Sequence, residues 1–153
     1  MIEIKVKGIK KVKNNLNAIE QRSKNLKLAM GVVGAKAWKD VNNSFDIEKD
    51  EDGKRWKKWL EPKKKKGIRK RVSTRPTKRG GNKLLQDTGL LRESIRWKHG
   101  SDWARVFTKT KYAGVHQYDA PSKNIVKRSY MWVSEKVQKG FSKIIGRYIV
   151  DGR

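Results

Sequence analysis

The fold is decided by residues 84–117, which read LLQDTGLLRESIRWKHGSDWARVFTKTKYAGVHQ. Two runs rich in β-branched and aromatic residues lie at its centre, at 94–98 and 103–108, and a short turn containing Gly100 joins them. Such runs, separated by a glycine-containing turn, are typical of a β-hairpin. The sequence therefore predicts a hairpin with His99 in its turn, and we take this hairpin as the centre of the fold.

A tight turn is predicted just before the hairpin, at Asp87, Thr88 and Gly89. Gly89 can take a positive φ that a side chain would resist. An Asp-Thr-Gly triplet also occurs in aspartic proteases, but this chain has one copy, flanked by leucines. A capped turn fits better, with Asp87 or Thr88 capping a segment that begins at Leu90.

Hydrophobic periodicity predicts the elements on either side. Ile2, Ile4 and Val6 alternate with charged residues, as in a half-buried strand. Apolar residues then recur at helical spacing and predict one long helix over about residues 12–43, and a second such stripe predicts a closing helix over about 131–150. Residues 112–118 suit either a short turn of helix or an irregular strand, and residues 125–126 a further short strand.

These elements predict a single α+β domain spanning residues 1–153. The long N-terminal helix and the C-terminal helix are expected to pack on one face of a mainly antiparallel sheet of about four strands, with a long basic loop between them.

Composition narrows the classes of function. The chain has 153 residues, no cysteine and a formal net charge of +25. Disulfides and thiolate metal sites are therefore excluded, and no apolar run approaches the ~18 residues that cross a bilayer. A charge of this size favours polyanionic or acidic partners, although a lysine-rich surface can also serve solubility alone.

The charge is concentrated in an arm, residues 62–83, which has many cations and few large apolar residues. Such a segment is expected to be extended or disordered until a partner orders it. Phosphates of nucleic acid and an acidic protein surface remain alternative partners. The candidate contacts are Lys63, Lys64, Lys65, Lys66, Arg69, Lys70, Arg71, Arg75, Lys78 and Arg79.

An acidic turn precedes the arm, at residues 46–52. Glu48, Asp50 and Asp52 with Gly53 match the first half of a calcium loop, but Trp59 stands where the bidentate glutamate should be. We therefore predict a surface turn without metal, paired with the basic arm or with a neighbouring subunit. Trp56 and Trp59 are expected to anchor this turn to the body of the domain.

No catalytic set is apparent in the sequence, and no cofactor is expected. The only histidines are His99 and His116, neither in a metal-binding or catalytic motif. His116, between Tyr112 and Tyr118, is expected to be a buried or interface residue whose side chain satisfies a backbone group.

Three blocks of the sequence resemble the phage virion-morphogenesis, or tail-completion, proteins. They are Phe45 with the segment 52–56, the segment 85–95, and the segment 112–117 ending in His116 and Gln117. Their order and spacing fit the family from about residue 2 to 149. The segment after Gln117 departs from the family pattern and keeps only an arginine and an aromatic residue. Candidate motif or interface residues are Phe45, Gly53, Trp56, Leu85, Gly89, Leu90, Tyr112, His116 and Gln117.

The resemblance implies a structural virion protein of the neck or tail end. As implied by the family, it would form a homo-oligomeric ring, with a hexamer as the first candidate, and would contact the tail tube or terminator and the head-side connector. DNA in the channel is a further candidate partner; no membrane is expected. Two alternatives remain open at this point: a non-catalytic nucleic-acid-binding protein that uses the arm, and an enzyme acting on nucleic acid, which has the least support.

Overall fold

The computed structural model of the protein describes residues 8–57, 83–86, 88–118 and 126–153. The described elements, in chain order, are α1 (Ile9–Lys24), α2 (Lys27–Ile47), α3 (Leu90–Glu93), β1 (Arg96–His99), β2 (Ala104–Phe107), α4 (Ala113–Tyr118) and α5 (Glu135–Asp151). Strands β1 and β2 form a two-stranded sheet. The predicted α+β class is confirmed. The predicted strand at 2–6, residues 62–82 of the basic arm and Trp59 lie outside the described residues.

The hairpin has the predicted position and a tight turn. The Gly100 amide donates to the Trp103 carbonyl at 2.8 Å, which closes the turn at Ser101 and Asp102. His99 is the last residue of β1 rather than part of the turn, so that detail of the prediction is wrong. Its ring stacks on Trp97, two residues earlier on the same face, with centroids 5.5 Å apart.

The predicted long N-terminal helix is two helices, because the chain breaks at Asn25 and Leu26. Asn25 is extended, with φ −139° and ψ 94°. Its side-chain Oδ1 accepts from the Lys27 amide at 3.1 Å, which caps the start of α2. The Leu26 amide donates to the Ser101 carbonyl of the hairpin turn at 3.0 Å instead of continuing the helix. The apolar stripe runs through this break, so periodicity alone gives no sign of it.

The chain divides into two compact units. We call Met1–Lys36, Trp97–Arg105 and Glu135–Arg153 the helical unit, and Ala37–Arg96 and Val106–Ser134 the core unit. Helix α2 and both strands contribute residues to each unit.

The core unit holds one buried apolar cluster, composed of Val41, Phe45, Trp56, Leu84, Leu91, Ile95, Ala113 and Tyr130. Phe45 is 0% exposed and contacts two other rings of the cluster. Trp56 meets it edge-on at a centroid distance of 5.9 Å, and Tyr130 lies 5.2 Å away at a tilt. Edge-to-face aromatic pairs of this kind add to the free energy gained by burying the rings. The cluster gathers residues from helix, turn, hairpin and irregular segments.

In the helical unit, α1 and α5 are joined at their C-terminal ends. The Arg22 guanidinium donates through Nη1 to the carbonyls of Ile149 and Val150, at 3.2 and 2.8 Å. Unpaired carbonyls and the helix dipole at this end favour a cation. Gly152, at φ +78°, lets its amide return to the Tyr148 carbonyl at 2.8 Å. Neither α1 nor α5 contains a fully buried residue.

The hairpin packs on α2 within the helical unit through two glycines. A Cβ at Gly34 would lie 2.6 Å from Cε3 of Trp97, and one at Gly31 would lie 3.4 Å from Cε1 of His99. The glycines therefore allow the Trp97 and His99 rings to approach the helix backbone.

The described segment before α5, residues 126–134, is irregular, whereas a strand at 125–126 and an earlier helix start were predicted; Ile125 lies outside the described residues. Val126 lies outside any strand, and α5 begins at Glu135 rather than near Met131. The backbone of this segment is bonded by side chains of other segments, as described below, so it needs neither a strand neighbour nor a helical turn.

Candidate functional site

The three sequence blocks named above meet in the core unit. Phe45 supplies the centre of the buried cluster, and Trp56 packs against it. The Trp56 indole Nε1 donates to the Ser129 carbonyl at 3.0 Å, which confirms the predicted anchoring role for this tryptophan. Ala113, at the start of the third block, belongs to the same cluster. The blocks thus form one packed structure although about seventy residues separate the first from the last.

Gln117 holds the irregular segment 129–131 in place. Its Oε1 accepts from the amides of Tyr130 and Met131, at 3.1 and 2.9 Å. Its Nε2 donates to the Ser129 hydroxyl at 2.9 Å. One side chain therefore satisfies two backbone donors of a segment that lacks a strand partner. The preceding residue adds to this, because the His116 carbonyl accepts from the Arg128 amide at 2.8 Å.

Arg128 is a buried cation that the sequence reading noted only as a remnant of the family pattern. It is 2% exposed, and its Nε donates to the Lys57 carbonyl at 3.0 Å. Burial lowers the pKa of its guanidinium. Together with Tyr130, which is 1% exposed, it shows that the two family-like residues of this segment face inward. Their retention in an otherwise divergent segment was the available signal.

The Tyr130 hydroxyl donates to the Ala113 carbonyl at 3.3 Å. Burial, with the nearby Tyr112 and Tyr118, raises the pKa of this phenol to about 12. The hydroxyl therefore stays protonated and remains a donor at physiological pH. The backbone of Tyr130 is also bonded, because the Ser44 hydroxyl donates to its carbonyl at 3.0 Å.

The acidic turn is closed by its own side chains. Asp50 Oδ1 accepts from the amides of Asp52 and Lys54, at 3.1 and 2.8 Å. Gly53 takes φ +76°, the left-handed conformation that completes the turn. Glu51 accepts from the Ser129 hydroxyl at 3.2 Å and lies 3.5 Å from Lys127. In the described part of the chain, no three His, Asp or Glu side chains lie together as a group that would hold a metal ion.

The segment around Leu85 is tied to the end of α2. Gln86 Nε2 donates to the Phe45 carbonyl at 2.6 Å, and the Leu84 amide donates to Glu48 Oε1 at 2.7 Å. Leu85 itself has φ +58° and packs against the buried cluster. A leucine in this conformation costs about 1 kcal/mol, which the bonds on either side oppose.

Asp46 and Arg92 form a two-point ion pair near this segment. Both Asp46 oxygens accept from the guanidinium, at 2.8 and 2.7 Å, and Lys83 lies 3.6 Å away. The Arg92 hydrogen bond lowers the pKa of the Asp46 carboxyl against the opposing effect of burial. Sequence reasoning missed this pair, because the two residues are far apart in the chain and carry no motif.

The motif residue Gly89 begins α3, and the motif residues Leu90 and Tyr112 lie at the surface. Gly89, at φ +76°, is the N-cap of α3, and its carbonyl accepts from the Glu93 amide at 2.9 Å. Among the described residues the predicted turn is present, with Gly89 rather than Thr88 at the N-cap position. Thr88 Oγ1 accepts from the Leu90 amide at 3.4 Å, and Asp87 lies outside the described residues. Leu90 and Tyr112 follow, at 59% and 43% exposed.

His116 is half-buried between the Tyr112 ring and the Arg128 segment. The Tyr112 ring meets it edge-on at 6.3 Å. Its Nδ1 is buried and has no hydrogen-bond partner among the described residues, so this nitrogen does not satisfy a backbone group as expected for the side chain. Burial, and then the Arg128 charge, lower the pKa of the imidazole.

The ten candidate contacts of the basic arm, from Lys63 to Arg79, lie outside the described residues. No helix among those described is long and apolar enough to span a bilayer. In the described residues, the structure brings together two features, which we call the frame. They are the aromatic packing around Phe45 and the side-chain-to-backbone hydrogen bonds around Gln117.

Comparison with known proteins agrees with this frame. The phage virion morphogenesis family matches residues 8–149 of the chain, a span that includes all three sequence blocks and the buried arginine. No curated protein and no solved structure matches the chain significantly. Because the family match covers nearly the whole sequence, the chain belongs to the phage virion morphogenesis family.

Proposed function

We propose that the protein is a structural component of the neck or tail-completion region of a tailed phage. In this role it forms a homo-oligomeric ring, a hexamer in the first instance, that completes the tail and joins it to the head-side connector. The observation that carries the proposal is the family match over residues 8–149. The role is geometric and not enzymatic, so incubation with DNA and Mg²⁺ or Mn²⁺ is expected to leave the DNA intact.

An exposed apolar stripe on α1 supports a role in assembly. Ile9, Val12 and Leu16 are 65%, 58% and 59% exposed, and they recur at steps of three and four residues. A surface stripe of this kind on one helix face is typical of a contact with another chain. We propose that a neighbouring copy covers this stripe in the ring. A head-to-tail interface that closes by rotation buries the same stripe on every subunit.

The two-stranded sheet offers a second contact. Within the described part of the chain β1 and β2 pair only with each other. Among the described residues, each strand therefore has one edge without a strand partner, and we propose that a neighbouring subunit pairs with such an edge and protects it.

The first test is negative-stain electron microscopy of the purified protein, alone and with tail tubes. We expect closed rings, or rings that cap tubes. Scattered monomers that leave tubes uncapped, together with a monomer mass by light scattering at moderate salt, would reject the proposal.

A matched pair of variants tests the stripe. Leu16→Glu places a charge in the stripe and is expected to shift the mass toward monomer. Asn14→Glu makes the same change in charge on the opposite side of α1, where the residue is also exposed, and is expected to leave the mass unchanged. Equal effects of the two variants would show that charge, and not the stripe, controls assembly.

The second candidate function is nucleic-acid binding through the basic arm. The alternative is that the arm pairs with the acidic turn of a neighbouring subunit. Nucleic-acid binding is favoured because the acidic side chains of the turn already have partners. Asp46, Asp50 and Glu51 already bond Arg92, backbone amides and Ser129 with Lys127. An arm from another subunit would therefore compete with existing partners, whereas phosphates would not.

Salt dependence measures this second function. Deletion of residues 63–83 is expected to abolish most of the dependence of DNA affinity on salt, because each phosphate contact adds about 0.9 to the slope. A full-length protein whose DNA affinity does not change with salt would exclude it.

A further inference from the structure

The register of the hairpin places the side chains of Lys98, Trp103 and Arg105 on its outer face. The bond from the Gly100 amide to the Trp103 carbonyl pairs these two residues, so Lys98 pairs with Arg105 two positions further along. Residues directly opposite in an antiparallel pair project to the same side. The other side, with Trp97 and Ala104, faces Gly34 of α2. Lys98, Arg105 and Trp103 therefore share the side turned away from the helix.

Lys98 and Arg105 form a like-charge pair that the described chain does not neutralise. Both are exposed, and neither has an ion pair with a carboxylate among the described residues. Asp102, in the turn, bonds the Ser101 hydroxyl at 3.4 Å. Like charges directly opposite on two strands destabilise the pair. A local choice that opposes stability, in a well-packed hairpin, points to a function of these two side chains.

Trp103 lies beside this pair as a flat apolar surface. A Cβ built on Gly100 would be 2.4 Å from Nε1 of Trp103, so the indole covers the glycine backbone. The side chain nevertheless remains 48% exposed. A ring supported on one side by backbone and open on the other is suited to stacking. Cations next to such a ring are typical of surfaces that follow a nucleic-acid backbone.

We propose that the outer face of the hairpin binds the phosphodiester backbone of a nucleic acid, with Lys98 and Arg105 each contacting a phosphate. The charge on the pair requires an anionic partner, and the open indole favours a nucleic acid over an acidic protein surface. A two-stranded ribbon also fits the major groove of a duplex. The proposal uses residues distinct from the basic arm and does not depend on ring formation.

The test measures DNA affinity of the full-length protein against salt concentration, for a duplex and for a single strand of the same length. The variant Lys98→Gln/Arg105→Gln is compared with Lys136→Gln/Lys143→Gln, which removes two exposed charges from α5 of the same unit. The slope of log affinity against log salt is negative, and the hairpin variant is expected to reduce its magnitude by about 1.8 for duplex or about 1.4 for single strand. The α5 variant is expected to leave the slope unchanged.

Two further measurements separate binding from folding. Removal of a like-charge pair should leave the urea midpoint unchanged or raise it. A weaker salt dependence with an unchanged urea midpoint therefore reports a lost DNA contact and not unfolding. The single variants Lys98→Gln and Arg105→Gln should each lower the duplex slope by about 0.9. The single variants therefore test the two phosphate contacts separately, even if the double variant does not fold.

Trp103→Ala distinguishes the two forms of nucleic acid. A loss of about tenfold for the single strand alone identifies unpaired bases as the ligand, because base stacking is lost. An equal, small effect on both forms identifies the duplex backbone, and either result agrees with the proposal. The proposal is wrong if the hairpin double variant has the same slopes as the α5 control. It is also wrong if that variant loses self-association while its DNA slopes are unchanged.

Discussion

The core unit and the helical unit use their apolar residues in opposite ways. Most of the buried apolar side chains belong to the core unit, whereas most of the exposed large ones belong to the helical unit. Phe45 in the first is fully enclosed by two aromatic rings. Leu16 in the second is 59% exposed on a helix that buries no residue.

The two units also differ in how their polar and exposed groups are used. The family blocks lie in the core unit, where side chains such as Gln117 and Ser44 bond the backbone of irregular segments. The helical unit leaves apolar and basic surface uncovered, which is useful only if another molecule covers it. The α1 stripe and the outer face of the hairpin, for which contacts with other molecules are proposed above, both lie in the helical unit.

The largest expected effect breaks the core unit at its centre. Phe45→Ala removes a fully buried ring and leaves a cavity beside Trp56 and Tyr130, at an expected cost of about 3–5 kcal/mol in the free energy of unfolding. Urea denaturation followed by tryptophan fluorescence measures it. The matched truncation Leu16→Ala, in the helical unit, should change stability by about 0.5 kcal/mol or less. Similar losses for the two variants would contradict the division drawn here.

The next effect concerns the bonds made by Gln117. Gln117→Leu leaves the Tyr130 and Met131 amides without an acceptor and should cost about 3 kcal/mol, because each unsatisfied buried donor costs about 1–3 kcal/mol. Gln117→Glu keeps the acceptor and loses only the bond to Ser129, so about 1 kcal/mol is expected. Urea midpoints of the two variants give the comparison. If they lose equal stability, the backbone bonds do not account for the role of this residue.

A smaller effect tests packing inside the helical unit. Gly34→Ala would set a methyl group 2.6 Å from the Trp97 ring, which is stacked on His99 and has little room to move. Overpacking of this kind should cost about 2 kcal/mol. Gly140→Ala, in α5, meets nothing within 4 Å and should stabilise the protein by up to about 1 kcal/mol through helix propensity. Thermal unfolding is expected to shift in opposite directions for the two variants.

The smallest effect is a pH dependence from His116. Burial lowers the pKa of its imidazole in the folded state, so the unfolded chain takes up the proton first as pH falls. The contribution of His116 to stability is therefore complete above its unfolded pKa of about 6.5 and is lost below it. Urea midpoints at pH 7 and pH 5.5 should differ more for the natural chain than for His116→Gln. An equal difference would remove His116 as the cause.

Local patterns in the sequence were sufficient for the elements that depend on neighbours in the chain. The hairpin, the Gly89 turn, the two terminal helical regions and the α+β class follow from periodicity, glycine placement and β-branched residues, which act over a few positions. The family blocks were also visible in the sequence, since their residues stand in a fixed order. The charge of +25 and the basic arm required only counting.

Other features were decided only by residues brought together in three dimensions. The break at Asn25 depends on a carbonyl of the distant hairpin turn, and the start of α5 follows a segment bonded by Gln117 and Trp56. The burial of Arg128 and the pairing of Asp46 with Arg92 join residues that carry no shared motif. Periodicity reports which face of an element is apolar, but it does not report which backbone group a distant side chain will bond. The tertiary structure therefore determined where the helices stop, which polar groups are enclosed and which apolar stripe stays uncovered.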